Sequence, residues 1–174
     1  GAHGFTYKGA YMYDEIYRIP LLFKPAGTTF RQQRTSACVN LMDVTASIMH
    51  IISGRRQDLL GNQKLDGKSF LTDALDDATD GKSFHYAEYY GNNYGNYSAR
   101  MITDGKWKLV YNFSDKCELY HLESDPGELD NLFCDASYSN IRQSLIRELL
   151  EQADVYDDGC FVLWQKEIAK YIND

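Results

Sequence analysis

The chain has 174 residues, 18 basic against 25 acidic, and 44% of them are hydrophobic; that fits one folded domain with a real core and excludes a disordered chain. A net charge of −7 argues against a general nucleic-acid binder, which needs a basic face. The longest apolar runs are far too short to cross a bilayer as a helix. Fourteen tyrosines against three prolines suggest β-structure on a half-buried surface.

The charge is uneven along the chain. Residues 1–35 hold Lys8, Arg18, Lys24, Arg31 and Arg34 against Asp14 and Glu15, so the acidity lies in the remainder. A basic start of this kind is either an anion-facing edge or a solvated surface. The sequence opens at Gly1 inside a glycine-rich loop, GAHGFTYKGAY, and the expectation is either a start trimmed by processing or a portion of a longer protein.

In chain order, residues 1–11 read as that loop. Ile16 to Phe23, IYRIPLLF, reads as a buried strand, with Pro20 placing it late or at an edge. A helix follows from about Val39 to Ile52, capped by Thr35 or Ser36 and closed near Gly54. Residues 55–81 read as an irregular connection. Its aspartates, Asp73, Asp76, Asp77 and Asp80, lack the alternating ligands of a calcium loop and read as a solvated surface.

The period then changes to that of strands: Ser83–Tyr90, Tyr97–Thr103, Trp107–Phe113 and Glu118–Leu122. Thr103-Asp104-Gly105-Lys106 predicts a tight hairpin with Asp104 and Gly105 as its loop. Asp125-Pro126-Gly127-Glu128 predicts another turn. Ile141, Leu145, Ile146, Leu149 and Leu150 fall on one face of an amphipathic helix, and Phe161 to Ile172 predicts a last short helix.

The four cysteines, Cys38, Cys117, Cys134 and Cys160, have no CxxC spacing and no histidine at a zinc-like offset. They read as structural thiols, with disulfides left open. Asn96-Tyr97-Ser98 and Asn112-Phe113-Ser114 are glycosylation sequons that chance explains. His50 and His121 read as ordinary core or surface histidines, and the sequence reveals no partner for His85. Tyr86, Tyr89, Tyr90, Tyr94 and Tyr97 read as packing rather than a sugar site.

Several segments together resemble the C-terminal part of sulfatases, within the alkaline-phosphatase-like superfamily. GAHGFTYKGAYMYDEIYRIPLLFKPAG is similar to the family's GxHG…KG…MYxExxRxP segment. Residues 39–45, VNLMDVT, resemble its DLMPT helix with Val44 in place of proline. Residues 65–71, LDGKSFL, resemble DGxSLL. Arg100 to Asn112 resembles the RMxRTGxWKYxYN hairpin, and Glu118 to Leu132 is nearly ELYDLxxDPxExxNL. The matches run in family order from residue 1 to about 150.

The resemblance implies an α/β fold for the full-length family. For this segment it implies α+β, an edge strand and helix of the main sheet followed by a small antiparallel sheet packed by a C-terminal helix. The expected division is 1–54, the end of the main domain; 55–81, a connecting loop; and 82–174, the C-terminal subdomain. The implied chemistry is cleavage of sulfate esters by a formylglycine made from Cys or Ser in C/S-x-P/A-x-R, beside calcium or a similar divalent cation. That motif is absent here, and the metal ligands are expected upstream, in the N-terminal remainder that would be this segment's partner. The implied substrate is a sugar or aryl sulfate ester, with no nucleic acid and no membrane span. The family is commonly periplasmic, secreted or lysosomal.

Lys8 is the expected catalytic and substrate-binding residue, since it matches the family lysine of the KG step that contacts sulfate. His3 is the second candidate. It would donate to a sulfate or leaving-group oxygen, or hold the loop through a backbone carbonyl. Glu15 and Arg18 also match family positions and read as a buried or half-buried ion pair. Other readings are a phosphonate or phosphate ester hydrolase of the same superfamily, and a non-catalytic binding or assembly module.

Overall fold

The computed structural model describes residues 1–24, 38–53, 65–71, 84–91 and 97–172. It divides into two compact units, residues 1–34 with 86–174, and residues 35–85.

The larger unit is built on a four-stranded sheet in the order β1 (His85–Tyr90), β2 (Ser98–Thr103), β3 (Trp107–Asn112), β4 (Glu118–His121). The pairs β2–β3 and β3–β4 are antiparallel, with Met101 opposite Val110 and Leu109 opposite Leu119. All four expected strands are therefore present, within two residues of their predicted ends, and the segment is mixed α+β as expected.

Strand alternation sorts the side chains onto two faces. Ile102, Leu109 and Leu119, all fully buried, lie on one. Helix α3 (Ser139–Val155) covers that face, burying Leu145, Ile146, Leu149 and Ala153. Its apolar positions recur at three and four residues, the spacing of a single helical stripe. Helix α4 (Val162–Ala169) adds Ile168 beside the buried Phe161. Each such aliphatic side chain contributes roughly 1.5–3 kcal/mol by leaving water.

The other face holds Ala99, Met101 and Val110, and Met12 from the N-terminal loop packs among them with Tyr17, Tyr89 and Tyr97 around it. Both faces being covered explains why Lys108 through Asn112 are all buried.

Several expectations need correcting. Ile16–Phe23 is not a strand. Asp14–Tyr17 forms a single helical turn, α1, and residues 18–24 join no ladder. Asp14 and Glu15 stand in the first turn, where negative charge suits the helix dipole. Pro20 has no N–H to give a ladder, and no described strand lies alongside. Ile19 and Leu22 stay exposed, Leu22 at 98%.

The hairpin turn falls one residue later than predicted. Thr103 pairs with Lys108, so Asp104 faces Trp107 and the loop is Gly105-Lys106. Asp104 causes the shift. Its carboxylate accepts from the N–H groups of Lys106 (2.9 Å) and Trp107 (2.7 Å), which holds it in the closing pair. Gly105 takes the positive φ, 82°, that the turn requires.

In the smaller unit, α2 (Leu41–Ile52) has the expected extent but a different cap. Asn40 accepts from Asp43 N–H at 2.9 Å, and Asp43 returns the bond to Asn40 N–H at 3.0 Å. This reciprocal box satisfies two donors that would otherwise be orphaned. Thr35, Ser36 and Gly54 lie outside the described residues, as do Asp73, Asp76, Asp77, Asp80, Tyr94 and Asn96. Residues 65–71 bind back to α2, with Lys68 N–H on the Asp43 carboxylate (2.8 Å) and Phe70 N–H on Ser47 Oγ (3.1 Å).

Candidate functional site

The candidate site is the loop before α1. Its backbone turns twice through the left-handed region, at His3 and Gly4 (φ 52° and 74°) and at Gly9 (φ 58°). These turns bring aromatic side chains from before and after Gly9 into stacks. His3 lies flat on Tyr13, with ring centroids 3.7 Å apart and planes 8° apart, and Phe5 lies on Tyr11 at 4.4 Å. The loop is thus a stack of rings held on a glycine-bent backbone.

Lys8 projects from this loop between Tyr7 and Gly9. It is exposed and makes no hydrogen bond or ion pair with any described residue. An unpaired ammonium keeps all three donors for a ligand. Beside it lies an open concavity of about 440 Å³ lined in part by Phe5, Tyr7, Gly9, Tyr11 and Tyr97.

His3 is nearly buried, its side chain 12% exposed. Its Nε2 is shielded from solvent and has no hydrogen-bond partner. The nearest carboxylate oxygen, Glu15 Oε2, lies 3.8 Å away, too far for a hydrogen bond. No bond links His3 to Lys8; the two share the loop but not a contact.

The expected Glu15–Arg18 pair is not formed. Arg18 is exposed and leans toward Asp14 at 3.7 Å. The buried ion cluster uses residues that sequence reading passed over. Lys108 Nζ donates to the Asp14 carboxylate, to Glu128 Oε1 at 2.8 Å and to Met12 O at 3.2 Å. Glu128 Oε2 also accepts from Asp14 N–H at 2.6 Å. All three ammonium donors are used, as a buried lysine requires. This cluster fixes the C-terminal end of the loop to the sheet. The signal was in the sequence: Lys108 and Glu128 stand inside the hairpin and ELYDLxxDPxE matches already noted.

A second buried cluster stabilises the α3–α4 side. Arg100 makes a two-pronged pair with Asp158 and stacks over Tyr90 and Phe113. Tyr86 and Tyr90 hydroxyls also donate to Asp158, at 2.5 and 2.9 Å. Burial alone would raise the Asp158 carboxyl, but Arg100 and the two hydroxyls more than offset it and bring it down to about 2. Tyr97 donates to Asn112 Oδ1 at 2.6 Å. These tyrosines are therefore packing and anchoring groups, as expected. Asn112 is buried and hydrogen-bonded, so its sequon is closed to modification.

The remaining histidines have local partners. His85 Nε2 donates to Cys38 O at 2.9 Å, which leaves Nδ1 to accept from Asn40 at 3.2 Å. His50 meets Ser69 Oγ at 2.9 Å and His121 meets Ser124 Oγ at 2.6 Å. Among the described residues no three His, Cys, Asp or Glu side chains converge as a metal ion would require. The described residues do not fit a calcium centre, and the sequence holds no C/S-x-P/A-x-R motif from which formylglycine is made.

Comparison with known proteins bears on this loop and the sheet together. The family described as "N-sulphoglucosamine sulphohydrolase, C-terminal" matches residues 1–155. This chain belongs to that family. The N-sulphoglucosamine sulphohydrolase C-terminal match takes in the Lys8 loop, the Lys108 cluster and α3; Arg100 lies inside it and Asp158 beyond it. Among curated relatives, the uncharacterized sulfatase YidJ of Escherichia coli (strain K12) is 27% identical over 159 residues, covering 91% of this chain and 30% of that protein. The N-acetylglucosamine-6-O-sulfatase of Bacteroides thetaiotaomicron is 26% identical over 169 residues, covering 91% of this chain and 29% of that protein. The chain thus spans about a third of the length of these relatives. The crystal structure of the putative sulfatase yidJ from Bacteroides fragilis aligns with a TM-score of 0.55 at 11% identity. The alignment covers 75% of this chain and 26% of that one, a likeness of fold.

Proposed function

We propose that this chain supplies the sulfate-binding loop and the C-terminal subdomain of a sulfuric ester hydrolase acting on sulfated sugars, and that it does not turn over substrate alone. The observation that carries the reading is Lys8, an exposed and unpaired cation on a glycine-bent loop, at the family's KG position in a chain that matches the sulfatase C-terminal family from residue 1.

The chemistry follows from charge. A sulfate ester is a monoanion, and its charge shifts toward the leaving oxygen as the S–O bond breaks. A cation beside that group offsets the developing negative charge and so lowers the barrier. Gly9 takes the left-handed φ of 58° that turns the backbone beside Lys8, and the Tyr11 ring packs where its Cβ would stand. His3 is the second proposed substrate-binding group; its Nε2 is unpaired but shielded from solvent, so it meets a sulfate or leaving-group oxygen only when the ring turns off Tyr13. Sulfatases commonly use calcium and formylglycine, and both are assigned to the portion of the enzyme that precedes this chain. Within the same reading residues 1–54 complete the main domain, 55–81 connect, and 82–174 form the subdomain. The sugar class rests on the two amino-sugar sulfatase names among the matches.

The test is a pair of assays. The 174-residue chain with an aryl sulfate and calcium should release no product above a Lys8→Ala control. The complete enzyme should hydrolyse a glucosamine sulfate and prefer it to the matching phosphate ester. Turnover by the isolated chain, or a phosphate preference, contradicts the reading.

A further inference from the structure

Glu128, in the segment that follows β4, holds a backbone conformation that its residue type disfavours. Its φ is 51°, in the left-handed region. Glycine adopts that region freely, yet it is Glu128 and not the adjacent Gly127 that stands there. The Glu128 side chain is fully buried. A large residue persists in such a conformation only where surrounding contacts hold it.

The contacts are those of its carboxylate. Oε2 accepts from Asp14 N–H at 2.6 Å, across 114 positions of chain, and Oε1 accepts from Lys108 Nζ at 2.8 Å. Asp14 opens α1, and α1 receives no side-chain cap from its own N-cap residue, Tyr13. The first N–H of a helix has no partner within the helix. Glu128 supplies that partner from a distant part of the chain.

Residues 11–14 are the platform on which the candidate loop rests. Tyr11 carries the Phe5 ring and Tyr13 carries the His3 ring. The residues that alternate with them face the sheet. Met12 buries its side chain among Ala99, Met101 and Val110 and gives its carbonyl to Lys108 Nζ at 3.2 Å, and Asp14 meets both Lys108 and Glu128. Lys8 is separated from this platform by Gly9 and Ala10 alone. A shift of Asp14 therefore carries Tyr13 and Met12 with it, and through the stacked rings it moves the backbone that bears Lys8.

We propose that Glu128 is a positioning residue for the sulfate site, holding the Lys8 loop in place through Asp14 without touching substrate. The inference rests on the assignment of that loop to sulfate. Misplacing a binding group by about 1 Å costs on the order of a hundredfold in rate. Lys108 keeps its bonds to Asp14 and Met12 O when Glu128 is changed, so a smaller loss is expected.

The experiment is steady-state kinetics of the complete enzyme on a sulfate ester. The variants are Glu128→Gln, Glu128→Gly, Lys8→Ala and the double variant Lys8→Ala with Glu128→Gln. Each single Glu128 variant should lower kcat/KM about tenfold, chiefly through KM, which does not depend on the fraction of enzyme folded. In the Lys8→Ala background, Glu128→Gln should cost about twofold or less, because the cation it places is gone. A residue that serves only the turn predicts the opposite. Glu128→Gly would then relieve the positive φ, raise the melting temperature and leave KM at the parent value. That result overturns the inference, as does an equal loss from Glu128→Gln with and without Lys8. An impaired Lys8→Ala beside unimpaired Glu128 variants overturns this inference and leaves the sulfate reading standing. An unimpaired Lys8→Ala overturns the sulfate reading and this inference together.

Discussion

Lys108 illustrates how a charged residue can be core. Its ammonium is satisfied by two carboxylates and a carbonyl, so removing it leaves Asp14 and Glu128 facing each other without a cation. Lys108→Ala should cost on the order of 3–5 kcal/mol in urea unfolding, the scale for breaking a buried pair from one side. Asp158 makes a second prediction, through pH. Its carboxyl titrates near 2 in the folded chain and near 3.9 when unfolded. The folded value is depressed, so the stabilisation is present above about pH 4 and is lost as pH falls toward 2. The amount is about 2 kcal/mol. Asp158→Asn should flatten that acid limb of the stability curve. Neither residue's distant mate was legible from periodicity, although Lys108 and Glu128 stand inside the motif matches. Their mates lie 94 and 58 positions away (Asp14 and Arg100), and periodicity carries no information about pairs so distant.

At the scale of elements, local signals were read well where a repeating period decides the geometry. The four strands and α3 follow from period alone. The errors fall where a side chain competes with the backbone. Asp104 moves the hairpin turn by one residue, and Asn40 with Asp43 caps α2 in place of an earlier hydroxyl. The predicted strand at Ile16–Phe23 failed for another reason: a strand is defined by a partner, and apolar content cannot supply one. Two substitutions test the packing of the smaller unit. Asn40→Ala should destabilise α2 by about 1 kcal/mol. Gly67→Ala should cost more, because its new Cβ would sit 2.2 Å from the Met42 carbonyl. The 65–71 segment should then lose hydrogen-exchange protection at Lys68 and Phe70.

Taken as a whole molecule, the chain carries more exposed apolar surface than scattered residues would explain. Leu22 and Ile19 in the larger unit and Leu41, Ile51 and Ile52 in the smaller are all at least half exposed. Such residues in a family whose relatives are about three times as long are suited to burial against the rest of an enzyme. The isolated chain should therefore bind a hydrophobic dye and self-associate on sizing columns, and a monodisperse monomer that binds none would count against this. Among the described residues no helix is long and apolar enough to cross a membrane. The candidate site was legible as a motif and not as a geometry. Sequence singled out Lys8 and His3, but it could not show that one bonds to no described residue while the other lies against a tyrosine with an unpaired nitrogen. The most direct test of the account is kcat/KM for a sulfate ester in the complete enzyme carrying Lys8→Ala. A loss of about a hundredfold or more is expected, with partial recovery in Lys8→Arg and unchanged thermal stability. An unchanged kcat/KM in Lys8→Ala would contradict the assignment of this loop to sulfate.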